Sequence, residues 1–155
     1  MRKAMLFLAV FGLVGTLWSA DPIIGRWKLN VAKSRFSPME KAPKEFTEVY
    51  REIDGNLIEL TTNWIAADGS SSPEKFTFPA QGGINKFLTP IDEGRFEIET
   101  LIAPGEWRMT GMQNGKQTIT RHKVISKDGK SMRQTITNAD AQGKTTEALY
   151  VFDRQ

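Results

Sequence analysis

His122 is the only histidine of this 155-residue chain, and cysteine is absent. A single imidazole with no thiol leaves serine as the one nucleophile a triad could use, and no Gly-x-Ser-x-Gly elbow occurs. Ser70-Ser71-Ser72 sits in a Gly-flanked turn and reads as a solvated loop. Glu97 and Glu99 are spaced like a carboxylate pair on one side of a strand. Arg95 shares that side, so a charged outer face is expected rather than a glycosidase pair. Neither a Cys/His cluster nor an Asp-rich calcium loop is present, and no metal or cofactor site is expected. His122 itself shares a strand face with Thr118, Thr120 and Val124. The opposite face carries Arg121 and Lys123, two charges that are costly to bury unpaired. The expectation is therefore that Arg121 and Lys123 point out and that His122 points in as a polar anchor. A hydrogen-bonded or exposed strand histidine is the plainer alternative.

Aromatic residues give the strongest sign of binding. Trp64, Phe76, Phe78, Phe87, Phe96, Trp107, Tyr150 and Phe152 fall on or near one inward parity, interleaved with Thr62, Thr100, Thr118 and Gln134. A mostly apolar lining with a few polar groups is the make-up of a small-molecule pocket. The ligand-contacting set expected from this parity is Trp64, Phe76, Phe96, Trp107, His122, Gln134, Tyr150 and Phe152. The same residues would serve equally as a filled core with no cavity.

Strands must position these side chains, and turn markers show where the strands end. Asp54-Gly55, Asp68-Gly69, Glu93-Gly94, Asn114-Gly115, Asp128-Gly129 and Gln142-Gly143 each separate runs rich in β-branched and aromatic residues. The runs predict strands at 24–31, 46–54, 57–66, 75–79, 84–89, 95–102, 106–113, 116–126, 130–138 and 144–154. Residues 32–45 form the one long connection, and Pro38 and Pro43 limit it to a short helical turn. Alternation then assigns faces. Ile58, Leu60, Thr62 and Trp64 share one, as do Phe96, Ile98 and Thr100 opposite Arg95, Glu97 and Glu99. Trp107, Met109 and Gly111 continue the apolar face, and Met132 and Ile136 flank Gln134. One apolar face per strand with a polar opposite face fits a soluble barrel or sandwich, not an outer-membrane barrel.

The first residues read as a secretory signal. Arg2 and Lys3 precede an apolar run over 4–16, and Ser19-Ala20 offers small residues for cleavage before Asp21, with Trp18 an ill-fitting neighbour. The run falls short of the ~20 residues of a membrane span. Export to the periplasm or medium is expected, with no stable membrane insertion afterwards, and residues 21–155 as a single domain. The formal charge of +3 loses Arg2 and Lys3 with the signal, leaving 19 Lys and Arg against 18 Asp and Glu. A net +1 without a basic stripe argues against nucleic acid as a partner.

Gly25-Arg26-Trp27-Lys28-Leu29 resembles the Gly-x-Trp opening of the calycin superfamily, the lipocalins and fatty-acid-binding proteins, and Tyr150-Val151-Phe152-Asp153-Arg154 is similar to their closing strand. The resemblance implies an all-β, antiparallel up-and-down β-barrel of about ten strands, lipocalin-like, that carries a small hydrophobic molecule. It implies structural roles for Trp27, closing the barrel base, and for Arg154, packed over it. It also admits an enzyme on such a barrel, an isomerase or a haem-dependent activity with His122 as axial ligand, behind the readings of a binding protein and of a filled structural or interaction domain. Fatty-acid-binding proteins carry an inward Arg-x-Tyr pair on the last strand, where this chain has Tyr150 and Phe152. That clamp is absent, so an acid is expected to bind no better than its alcohol.

Overall fold

The computed structural model describes residues 20–37 and 41–155. The signal expected over 1–20 lies, apart from Ala20, outside the described residues, as does Pro38. The strands are β1 (Gly25–Leu29), β2 (Glu45–Ile53), β3 (Leu57–Ile65), β4 (Ser71–Pro79), β5 (Gly83–Ile84), β6 (Lys86–Phe87), β7 (Arg95–Ala103), β8 (Glu106–Gln113), β9 (Lys116–Ile125), β10 (Ser131–Ala139) and β11 (Thr145–Arg154). A 3-10 turn at Val31–Lys33, capped by the Asn30 side chain, occupies the start of the long connection. The short helical turn expected there is present.

All pairings are antiparallel, in the order β5-β7-β8-β9-β10-β11-β1-β2-β3-β4-β6. The hairpin turns carry the backbone the sequence demands. At Asn114-Gly115 both residues have positive φ, 50° and 77°, in the two-residue loop that sets Gln113 opposite Lys116. The sheet curls into a nearly closed barrel. Its first and last long members, β7 and β4, are not paired with each other; the strap between them pairs with both.

That strap corrects the strand expected at 84–89. β5 pairs with β7 and β6 pairs with β4, so the segment changes partner at Asn85 instead of running as one strand. The Asn85 N–H donates to the Glu97 carbonyl at 2.9 Å, and its side-chain amide donates to the Glu97 carboxylate at 3.2 Å. The strand expected at 75–79 begins earlier, at Ser71, so Ser71 and Ser72 leave the turn and join the ladder to β3. Pro73 is tolerated there because β6 covers only Phe76 and Thr77 on the other side of β4.

The lower barrel is a filled core of Ile23, Trp27, Leu29, Ile58, Phe78, Trp107, Met132 and Phe152. The inward faces expected for β3, β8 and β10 are those observed. Those of β7 and β9 are reversed. Glu97, Glu99 and Lys123 are buried, whereas Phe96 is 37% exposed and Val124 38%. Residues directly opposite in an antiparallel pair share a face, so the buried Trp107, Met109 and Gly111 of β8 dictate those of their partners. Leu101, Glu99 and Glu97 oppose them from β7, and Lys123, Arg121 and Ile119 from β9. Arg121 and Lys123 therefore point inward, and His122 lies on the outer face, with Nε2 2.8 Å from Glu106 Oε1.

The cause is two one-residue bulges. Ala103 pairs with Glu106, but Leu101, not Ile102, pairs with Trp107. Gln113 pairs with Lys116, but Gly111 pairs with Ile119, not Thr118. Unbroken ladders from those two turns would set Ile98, Thr100 and Ile102, and Thr118, Thr120 and His122, opposite Gly111, Met109 and Trp107 of β8. Each extra residue reverses the faces of the strand beyond it. Gly111 permits the second bulge, since a Cβ there would collide with the Ile119 side chain.

Candidate ligand pocket

At the end of the barrel opposite Trp27, a pocket of about 190 Å³ is lined by Phe46 of β2, Trp64 of β3, Ile119 and Arg121 of β9, Ile136 and Asn138 of β10, and Tyr150 of β11. Its aromatic wall is mutually packed. The Phe46 and Trp64 rings are 5.2 Å apart, Trp64 and Tyr150 6.4 Å, and Phe36 closes on Tyr150 at 5.3 Å. Into this aromatic wall β9 delivers Arg121, whose buried Nε–H finds no acceptor among the described residues. Burying a guanidinium N–H without an acceptor costs on the order of 1–3 kcal/mol, so this pocket-lining residue keeps an unused donor.

Beneath the pocket lies a layer of buried polar groups. Tyr50 Oη donates to Glu48 Oε2 at 2.7 Å, and Gln134 Nε2 donates to the same oxygen at 2.8 Å. Lys123 Nζ donates to Glu99 Oε1 at 3.0 Å and lies 5.5 Å from the Tyr50 ring centre. Arg95 bridges the strap, with Nη1 2.7 Å from Glu74 on β4 and Nη2 2.7 Å from Glu97 on β7, and its guanidinium sits 5.0 Å from the Phe87 ring. Burial, then the charges of Glu48 and Glu99, push the Tyr50 phenol well above its usual range, so it stays a neutral donor. Burial likewise raises the Glu99 carboxyl, opposed by Lys123 and, more weakly, by Arg121.

Of the residues expected to contact ligand, Trp64 and Tyr150 stand in the pocket wall. Phe76, Trp107 and Phe152 are in the packed core, Phe76 against Phe87 at 5.0 Å, Trp107 against Phe78 at 5.5 Å and Phe152 against Phe46 at 5.5 Å. Gln134 is buried beneath the pocket on Glu48. Phe96 and His122 face outward, because the bulges reverse their strands. Phe46, Ile119, Arg121, Ile136 and Asn138 line the pocket without having been expected there. Phe46 was legible as the start of the alternation Phe46, Glu48, Tyr50; Arg121 was not, because its face depends on the bulge at Thr118.

The Arg154 guanidinium lies 4.2 Å from the Trp27 ring centre while donating to the carbonyls of Gly129, Ile24 and Pro22. Gly25 makes the room, since a Cβ there would strike Arg154 Nη1, and its φ of 143° suits glycine.

No family model and no curated protein matches the chain. Among solved structures it is similar to the wild-type fluorescent protein UnaG, at 16% identity over 88% of this chain and 100% of that one, with a TM-score of 0.60. It is also similar to Rv2717c from M. tuberculosis, at 17% identity over 86% of this chain and 93% of that one, with a TM-score of 0.55. Likeness at these identities is likeness of fold, and the fold of this chain is that of the calycins.

Proposed function

We propose that this calycin-type barrel binds a small hydrophobic acid, its apolar body against Phe46, Trp64, Ile136 and Tyr150 and its anionic group on Arg121. The observation that carries the reading is a buried guanidinium Nε–H without an acceptor on Arg121, a residue that lines the pocket beside Phe46, Trp64 and Tyr150. A carboxylate supplies the missing acceptor and a charge-assisted bond. At about 190 Å³ the pocket is below the ~300–1,000 Å³ of drug-sized sites, so the acid is one or two rings in size, or longer with its tail outside the mouth. This reverses the expectation that an acid and its alcohol bind alike, because that expectation placed Arg121 outside.

Naphthoate and the neutral naphthylmethanol, titrated by quenching of Trp emission, test the reading. Naphthoate should bind more tightly, and Arg121→Met should weaken it about 10- to 100-fold while leaving the alcohol within about twofold. Equal affinity for both probes, unchanged in the variant, would overturn the anion assignment. Failure of either to bind would favour the filled-barrel reading.

The proposal includes export. Its support is the signal pattern of residues 1–20 together with the use of Asp21 by the barrel, where Oδ1 accepts from the Ile23 N–H at 2.8 Å and Oδ2 from Gly105 at 3.2 Å. Mass spectrometry of the protein recovered from its native host should find the mature chain starting at Asp21, outside the cytoplasm. An intact N-terminus in the cytosolic fraction would remove the export claim.

A further inference from the structure

The pocket and the polar layer beneath it share one cation. Arg121 lines the pocket, and its charge is also felt by the Tyr50 phenol and the Glu99 carboxyl. The inner row explains this: Glu99 opposes Met109, which opposes Arg121, so the two face the lumen two strands apart. Around Glu99 stand Lys123 and Arg121 on β9, Glu48 and Tyr50 on β2, and Glu97 and Arg95 on β7, with Glu74 of β4 beyond Arg95. β8 contributes Trp107 and Met109 and β10 contributes Gln134, none of which titrates. The His122 and Glu106 pair lies outside the wall.

This group of four carboxylates and three cations has one carboxylate with an open position. Glu99 Oε1 takes the Lys123 ammonium, while Oε2 is buried without a partner. An anion seated on Arg121 adds a fifth negative charge and withdraws part of the positive potential that opposes the upward shift of the Glu99 carboxyl.

Building on the pocket reading above, we infer that binding of an organic acid at Arg121 is accompanied by uptake of a proton from solvent onto the Glu99 carboxylate, so that the acid enters as an ion pair and the lumen keeps its charge. No bond other than the new O–H forms. The acid itself stays ionised on the guanidinium. Ligand release then ejects the same proton, which makes affinity fall as pH rises.

Calorimetry of naphthoate binding to the wild-type protein, in two buffers of different ionisation enthalpy and scanned from about pH 5 to pH 8, measures the proton count directly. Uptake approaching one proton per naphthoate in part of that range is expected, with none for naphthylmethanol. Glu99→Gln should bind naphthoate with heats independent of buffer, and Glu97→Gln should retain the uptake. Should Glu99→Gln fail to fold, the pair Glu99→Gln with Lys123→Met removes both buried charges and takes its place. Naphthoate binding to wild type with buffer-independent heat throughout, or uptake that persists without Glu99, would overturn the inference and leave the pocket reading intact. Failure of naphthoate to bind wild type would defeat both.

Discussion

Trp27→Ala should lower the free energy of unfolding by about 3–5 kcal/mol, the range of large aromatic truncations in a core. Trp27 is fully buried, its indole N–H donates to the Ile23 carbonyl at 2.8 Å, and Arg154 covers its face. The truncation therefore opens a cavity, orphans a carbonyl and removes the surface on which the guanidinium lies. Arg154→Ala should cost less, about 1–3 kcal/mol, since its three carbonyl acceptors are close enough to solvent to be partly rehydrated. The double variant should cost less than the two losses added, because the stacking between them is counted twice in that sum. Urea melts of the four proteins give the comparison. Strict additivity would show that the contact contributes nothing of its own.

The second large effect lies at the buried ion pair. Lys123→Met should destabilise by about 3–5 kcal/mol, because it leaves the Glu99 carboxylate in the core without its counter-charge. Adding Glu99→Leu to that variant should restore most of the loss, since an apolar pair of similar volume carries no desolvation cost. The deficit should depend on pH with a definite sign. Burial raises the Glu99 carboxyl above its ordinary value, so its favourable contribution is full below the unfolded carboxyl range and is lost as pH rises through the folded value. Removing Lys123 takes away the main influence opposing that rise. The deficit of Lys123→Met should therefore grow from about pH 5 to pH 8, read from urea midpoints at each pH. A deficit that shrinks over that interval would mean that Glu99 is not the group left exposed to the loss.

Much of the barrel was legible in the residues. Local chemistry decides a hairpin: Asn114-Gly115 can take two positive φ values and most other dipeptides cannot, so the turn is written in two residues. Alternation in Ile58, Leu60, Thr62 and Trp64 likewise names the inner face of β3, because polarity and burial agree there. The pairing of Trp27 with Arg154 came instead from the resemblance of the two chain ends to the calycins. Gly25, Trp27 and Arg154 are each restricted in type by one contact, a guanidinium on an indole with no space for a Cβ beside it.

The faces of β7 and β9 were a different matter. Their outer residues are apolar, such as Phe96 and Val124, and their inner ones charged, such as Glu97, Glu99 and Lys123. Polarity alternates as it should, but with its meaning reversed. A lone strand cannot reveal the reversal, since what makes Lys123 tolerable inside is Glu99, 24 positions earlier and two strands away. Nor can turn counting, because the bulges at Ile102 and Thr118 each insert one residue, and a period of two turns one extra residue into a complete exchange of faces. The residues by themselves determined an antiparallel β-barrel. Whether a histidine or an arginine lines the pocket at its upper end was decided only when β8, with Trp107, Met109 and Gly111 already committed to the core, fixed the register of both its neighbours.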